Sequence, residues 1–569
     1  MKVLLSLARL LSDHRRSCSF FLLSLDRNFL GVLLFASIVV RAQEVQGGPP
    51  EYALATASKS VIEIPSSYKT SPPWANVSAG HTFTAEFGGR TIQYTRVTDA
   101  KTYQSCNPSV AAGRGFAVTS GSGDVAVFNK DDTMFTITDS GSNHCFFTFD
   151  PDPASPRFMQ TAYLYSSPGK IPVEGAWSQT NSRYWYAWNG PLYRYDFTGC
   201  APGSCKPIIT KVYDYVSNCD VKSPYFISAA GVGNNDTIFG VHYSAGVQDS
   251  GKAALAYDFS TNTCYRYDTR EMLVKRHTGA AGSTGNPSYS GTVNCDGTRT
   301  ISWMSGNIFD TTPHTWQGSV LTVGSRSYGV QTVNSSRTLT ARTECKTVKG
   351  AKYSIVPGLL VTDGDMAQDS YSIHNVKIDP SGHWMVVVAA RCTNRCPDAT
   401  AVYLWQIGTN KVVPCTANCT GHWTTSASNF LNVPDGKLHY RAFASAKTED
   451  MAYTSTVPPV ITGFDVHPTN KNDAFGINSR VVLSSTYAPE GPYWTITHPL
   501  SNEVIAWPQV AESSILRFGH TYNSALSSEG FAARFAIGAA SSTGNFYLFT
   551  TDGEGTLSEG SEVWLMRLQ

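Results

Sequence analysis

The sequence predicts an all-β fold, and three observations carry that expectation. Residues that favour strands and turns dominate: 28 Tyr, 27 Phe and 12 Trp stand beside 47 Gly and 29 Pro, a mixture suited to short pleated segments joined by tight turns. Hydrophobic residues reach 41%, enough to bury a large core and to argue against disorder. The third observation is a recurring pattern of two β-type runs flanking a polar turn, followed by a short aromatic strand.

The clearest copy of that pattern is VKIDPSGHWMVVV (376–388) followed by AVYLWQIG (401–408), where Pro380-Ser381-Gly382 turns the chain between alternating strands. FNKDDTMFTI (128–137) with HCFFTFDP (144–151), WSQTNSRYWYAW (177–188) with PLYRYDF (191–197), and GVGNNDTIFGVHY (231–243) with ALAYDF (254–259) follow the same plan. So do TVNCDGTRTISWM (292–304) with GSVLTVG (318–324), and AIGAASSTGNFYLFTTD (536–552) with VWLMRL (563–568). A less regular stretch holds two hairpin signals, FLNVPDGKLHYRAF (430–443) and FGINSRVVLSSTY (475–487), with one third-strand candidate, YWTITHP (493–499).

A unit that cannot bury its own faces must stack on its neighbours, and 569 residues is too long for one ordinary domain unless the architecture repeats. The reading is a β-propeller with seven blades, one carrying an insertion; six or eight blades are the alternatives, and a pair of β-sandwiches comes after them. Roughly 67 residues per blade exceeds the usual 40–50, so the surplus belongs in loops. VWLMRL has no following strand, so its blade is expected to borrow an outer strand from within 78–99 and thereby remove two open sheet edges.

The ends of the chain set the compartment. Arg15, Arg16 and Arg27 precede the apolar run Phe29–Val40, and Val40-Arg41-Ala42 places small residues where a signal peptide is cut. The expected organisation is a signal peptide over 1–42, a linker or strap over 43–77 and the propeller over 78–569. A membrane anchor is the competing reading, but a run of 12 residues fenced by Asp26, Arg27 and Arg41 falls short of the roughly 20 that a span needs. The product is then secreted or periplasmic, with no stable span after cleavage.

Cysteine usage fits export, since 13 Cys less Cys18 leaves an even set. Three pairs could close short loops: Cys200 with Cys205, Cys392 with Cys396, and Cys415 with Cys419. The others pair in chain order as Cys106/Cys145, Cys219/Cys264 and Cys295/Cys345. The competing reading of Cys392, Cys396, Cys415 and Cys419 is a four-cysteine zinc site.

Charges nearly cancel, 44 Lys+Arg against 43 Asp+Glu, and make up only 15% of residues, so nucleic acid is not an expected partner. No G-x-S-x-G elbow, H-E-x-x-H helix or P-loop occurs. Asp363-Gly-Asp365 with Asp369, and Asp552-Gly-Glu554, put carboxylates where a divalent metal such as Ca²⁺ could bind; the plainer reading is solvated turns. Sequons at Asn76, Asn235, Asn334 and Asn418 are no more than Ser/Thr abundance yields by chance. Trp177, Tyr184, Trp185, Tyr186 and Trp188 crowd one unit, as inter-blade core or as rings for stacking on sugar.

The blocks DPSGHWMVVV (379–388), VPDGKLHYRAF (433–443) and SSTGNFYLF (541–549) resemble the Ser-Pro-Asp-Gly repeat of Tol-type propellers, a superfamily that includes oligogalacturonate lyases. The layout is also similar to secreted bacterial propellers. The resemblance covers the second half of the chain; WSQTNSRYWYAW in the first half lacks the Pro-Asp-Gly core. It implies that each innermost strand leads into that turn, so that residues beginning the strand ring the channel mouth. On this register His374, His422 and His520 are candidate catalytic residues, with Arg517 beside them to neutralise a carboxylate and Trp423, Tyr522 and Arg534 to hold a ligand. Imidazole suits both proton transfer and metal binding near neutral pH. The lyases hold a metal by histidine in such a channel, but no motif here matches their ligand set, so that set is not transferred. The competing reading makes each histidine a fastener between blade and loop.

Two functions remain open from sequence. One is a secreted propeller that binds an extracellular polysaccharide or protein through long loops; the other is a polysaccharide lyase-like enzyme with histidines at the channel mouth.

Overall fold

A computed structural model describes residues 60–99, 127–139, 144–167, 175–188, 191–215, 226–233, 235–244, 251–268, 289–309, 320–341, 344–356, 373–389, 401–408, 481–487, 499–508, 515–523, 538–554 and 561–569, with shorter pieces between them. The signal peptide expected over 1–42 lies outside the described residues.

The fold is all-β, built from small antiparallel sheets whose strands follow one another in chain order. Sheet A comprises Phe116–Ala117, Met134–Asp139, His144–Phe149 and Thr161–Ser166; sheet B comprises Ala176–Trp177, Tyr184–Trp188, Pro191–Asp196 and Ile208–Asp214. Sheet C (Phe226–Gly233, Ile238–Ser244, Gly251–Asp258, Thr263–Asp268) and sheet D (Ile373–Ile378, Trp384–Ala389, Ala401–Gln406, Val412–Cys415) touch through the Gly251–Ile373 pair. Sheet E runs Trp423–Ser426, Asn429–Asn432, His439–Ala442 and Thr448–Asp450. Sheet F runs Asp465–Val466 and Thr469–Asn470, then Val481–Tyr487, Glu503–Pro508 and Leu516–His520.

Sheet G joins the two ends of the chain. Gly538–Ala540, Phe546–Thr551 and Glu562–Arg567 are completed by Arg90–Arg96 and then His81–Phe87, with Tyr94 opposite Met566 and Arg96 opposite Trp564. The outer strand predicted within 78–99 is therefore Arg90–Arg96. Arg96 locks the seam from the side, donating to both carboxylate oxygens of the buried Glu562 at 2.7 and 2.5 Å.

Packing follows the same order. Phe135, Phe147 and Phe149 of A bury against Phe546, Leu548 and Val563 of G; Met134, Phe146 and Leu164 of A meet Trp177, Trp185 and Tyr195 of B. Tyr186, Trp188 and Tyr213 of B meet Phe239, Val241 and Tyr257 of C. C approaches D so closely that a Cβ on Gly240 would sit 2.4 Å from Ile378 Cδ1, which explains glycine there. Trp384 of D stacks on Phe443 beyond sheet E at 5.5 Å, the strand Trp423–Ser426 of E lies beside Thr469–Asn470 of F, and Val504 and Phe518 of F join Tyr94, Phe549 and Met566 of G. Each sheet covers the next and the last covers the first, which is a β-propeller.

Two sequence expectations differ from this arrangement. Residues 292–324, read as a blade, belong instead to a closed six-stranded barrel inserted between C and D, made of Tyr289–Cys295, Thr300–Gly306, Val320–Val323, Arg326–Ser335, Thr338–Ala341 and Val348–Val356. Its hairpin has the same local pattern as a blade hairpin, and only the later strand pairings distinguish them. The irregular stretch 430–499, read as one unit, supplies parts of two sheets: 430–443 forms the second and third strands of E, and the third strand of F is Glu503–Pro508 rather than YWTITHP.

Among the described residues, no helix is long and apolar enough to cross a membrane. Cys200–Cys205 and Cys295–Cys345 form disulfides as expected, and Cys145 and Cys264 are also disulfide-bonded. Cys392, Cys396 and Cys419 lie outside the described residues; Cys415 ends a strand of D.

Candidate functional site

The turns between the first two strands of sheets A, D and G share one construction. The residue that opens each turn accepts the backbone N–H five positions on: Asn129 Oδ1 from Met134 at 2.9 Å, Asp379 Oδ1 from Trp384 at 2.7 Å and Ser541 Oγ from Phe546 at 3.2 Å. These turns also hold one another. Asp132 of A accepts from the N–H groups of Ser542 and Thr543 of G at 2.6 and 3.1 Å and from Thr543 Oγ1 at 2.5 Å. Asn129 Nδ2 donates to Ser182 O of B at 2.8 Å. Asp236 of C accepts from Ser178 Oγ, from Gln179 N–H at 2.7 Å and from Thr180 Oγ1 at 2.6 Å, all of B. Gln179 Nε2 reaches past C to Pro380 O of D at 3.3 Å. A contact between sheets B and D that skips C requires these turns to converge, so the first strand of each sheet is the innermost. Burial pushes the Asp132 carboxyl upward in spite of the donors around it.

That register decides where the predicted residues lie. His374 sits in the innermost strand of D, at a shift in pairing between Ile373 and Asn375, and Trp423 begins the innermost strand of E. His422 and Arg534 lie outside the described residues. His520 and Arg517 precede the innermost strand of G, Gly538–Ala540, in chain order, but residues 521–537 separate them from it. They belong to Leu516–His520, the fourth and outermost strand of F, where Glu503 opposes His520 and Ile505 opposes Arg517. The sequence pattern places this block in the next blade because YWTITHP carries the look of the third strand of F.

Around that strand lies a cluster of buried charges. Arg517 is fully buried; its Nε and Nη2 donate to Glu503 Oε2 and Oε1 at 2.7 and 2.5 Å, and its Nη1 donates to Ser60 O at 2.6 Å. Its backbone exchanges two 2.9 Å bonds with Thr56, so the N-terminal strap is stitched to the strand. Phe87 carries the guanidinium groups of Arg517 and Arg90 at 5.7 and 5.8 Å and the edge-on ring of His520 at 4.9 Å. Burial first, and then the Arg517 charge, push His520 down to about 3, so its imidazole is neutral at pH 7. Burial pushes Glu503 up to about 6 against the pull of Arg517. Tyr522, also buried, packs against Trp74 at 4.6 Å and Trp564 at 6.1 Å.

His520, Arg517 and Tyr522 therefore lie inside the interface between strap, sheet F and sheet G, not around a channel. Outside them the strap and the 86–89 turn enclose a groove of about 400 Å³, lined by Ser60, Ile62, Glu63, Pro65, Glu86 and Gly88 among others. Trp177, Trp185 and Trp188 are buried as core, whereas Tyr184 remains half-buried under Arg194, 4.5 Å from its ring. Asp552 and Glu554 are both buried, and among the described residues no group of three or more His, Cys, Asp or Glu could hold a metal. Sequence reasoning passed over Asp132 and Asp236; the signal available was an Asp recurring in successive hairpin turns.

No protein-family model matches the chain, and no curated protein matches it in sequence. Among solved structures it is similar to an oligogalacturonate lyase from Vibrio parahaemolyticus, at 10% identity over 86% of this chain and 98% of that one, with a TM-score of 0.32. It is similar also to the Cps50 (Swd1) β-propeller domain of Myceliophteria thermophila (10% identity, 79% and 97% covered, TM-score 0.28) and to Citrobacter koseri AztD (8%, 76% and 93%, 0.29). The fold assignment rests on the chain's own strand pairing and packing.

Proposed function

We propose that this chain is a secreted propeller that binds an extracellular polysaccharide or protein and does not transform it. One observation carries the reading: of the candidate catalytic side chains, His520 and Arg517 are fully buried in the strap interface and make contacts that fasten it. A general acid or base must come within hydrogen-bond reach of its substrate, and these two have no path to one. The disulfides support an oxidising compartment.

The test incubates the purified, processed protein with uronic-acid and neutral polysaccharides and measures retention and chain cleavage in the same samples. Retention without new chain ends is expected. Catalytic cleavage would establish the lyase-like alternative instead, with His374 and His422 as the histidines to mutate.

A further inference from the structure

The barrel inserted between sheets C and D has a polarity that the propeller lacks. All six of its neighbouring strand pairs are antiparallel, so its strands alternate up and down around the wall. The chain comes in at Tyr289 and leaves after Val356, and Tyr289 pairs with Ile355, so both connections to the propeller are at one end. The opposite end gathers the 296–299 turn, the 324–325 turn and the 344–347 connection.

That opposite end is basic. Arg299, Arg326, Lys346 and Lys349 are exposed there, with exposed Lys352 one turn of the pleat further along the same strand. Residues 289–356 hold seven Lys or Arg against three Asp or Glu, whereas the rest of the chain from Gln43 holds 31 against 38. None of the five cations is in an ion pair among the described residues. Of the nearby acids, Asp296 is engaged by its own turn, accepting from Thr298 N–H at 2.9 Å and Thr298 Oγ1 at 2.6 Å.

The cations are also held in place. Cys295–Cys345 ties the first strand to the connection that carries Lys346. Cys345 N–H donates to Thr298 O at 2.8 Å, Ala341 N–H to Arg299 O at 2.7 Å, and Lys346 N–H to Tyr328 Oη at 3.2 Å. Arg299 and Lys346 thus stand on two loops fixed to each other, so little backbone ordering is left for a ligand to impose.

We infer that this end of the barrel is a binding site for an acidic polysaccharide, whose sulfate or carboxylate groups the five cations engage. Exposed Thr298, Ser325 and Thr347 add hydroxyls for sugar hydrogen bonds. A nucleic acid fits less well, because single strands need aromatic stacking platforms, and the partly buried Trp303 and the exposed Met304 and Ile308 lie toward the other end. The inference rests on the binding reading above and names its ligand class.

The test uses the full processed chain with heparin as sulfated probe, polygalacturonate as carboxylated probe, a neutral glucan and a DNA duplex. Heparin or polygalacturonate is expected to bind with affinity that falls as salt rises, and the Arg299→Ser/Lys346→Ser/Lys349→Ser variant to bind about tenfold or more weakly at an unchanged melting temperature. The single Lys349→Glu substitution, on an exposed strand position, serves if the triple variant does not fold; a drop with it supports the site and no drop overturns it. Equal binding by wild type and variant, binding of neither acidic polymer, or tighter binding of DNA also overturns the inference. Retention of the glucan with no effect of the barrel variants removes the barrel site and leaves the binding reading standing, whereas catalytic cleavage of a polymer removes the binding reading itself.

Discussion

His520 offers a sharp physical test of the strap interface. Its ring faces Arg517, Phe87 and the backbone of Asn502, Glu63 and Ile62, and its burial lowers its pKa from 6.5 to about 3. A depressed folded-state pKa contributes stability that is full above the unfolded value and is lost as pH falls through the window down to the folded value. At about 1.4 kcal/mol per pH unit, the whole contribution is about 5 kcal/mol by pH 3, of which about 2 kcal/mol has gone by pH 5. Glu503 works in the opposite sense: its pKa is raised to about 6, so its contribution is full below 4.5 and fades as pH rises toward 6. The two effects partly cancel in the wild type, and a difference experiment separates them. Urea unfolding of the wild type and of His520→Asn between pH 8 and pH 5 is expected to show the wild type losing about 2 kcal/mol more than the variant. Parallel curves would refute a desolvated neutral histidine at this position.

Further outcomes follow from the same contacts. Arg517→Met leaves Glu503 buried without its partner and is expected to cost about 3–5 kcal/mol in chemical denaturation, with much of the loss recovered in Arg517→Met/Glu503→Leu. Asp132→Ala strands three buried or half-buried donors and is expected to cost about 2–3 kcal/mol; Asp236→Ala, at a more open turn where water can replace the carboxylate, costs less in the same assay. Removing Cys295–Cys345, which spans 50 residues, is expected to remove about 4 kcal/mol of chain-entropy stabilisation from the barrel, against about 2 kcal/mol for the five-residue separation of Cys200–Cys205, read from the unfolding of each Cys→Ser pair.

Much of the fold was legible because each blade hairpin advertises itself locally. Alternation on both sides of a turn opened by Asn129, Asp379 or Ser541 identified the innermost pairs, and the strand expected within 78–99 is the one that pairs with Glu562–Arg567. The barrel was illegible for the same reason: Thr292–Met304 forms a hairpin of the same local kind, and its membership is settled by Thr300–Ser302 pairing with Thr338–Thr340, a contact that no local pattern encodes. The candidate site failed on register. Once YWTITHP stood as the third strand of F, Arg517-Phe518-Gly519-His520 fell into the next blade and seemed to open onto a channel. The continuous burial of Glu503–Pro508 is what a third strand packed on both faces looks like in sequence, and it is easily passed over because it lacks alternation.

The most direct test of the account is amide hydrogen exchange on the strand Arg90–Arg96. If the ring is closed by pairing of this strand with Glu562–Arg567, the amides that face the seam, Thr95 and the adjoining Val97, whose N–H donates to Val563 O at 3.0 Å, are protected in the intact protein, and deletion of residues 563–569 abolishes that protection together with a large part of the melting temperature. Full protection of Thr95 and Val97 and an unchanged melting temperature in the truncated protein would contradict the closure on which the propeller assignment stands.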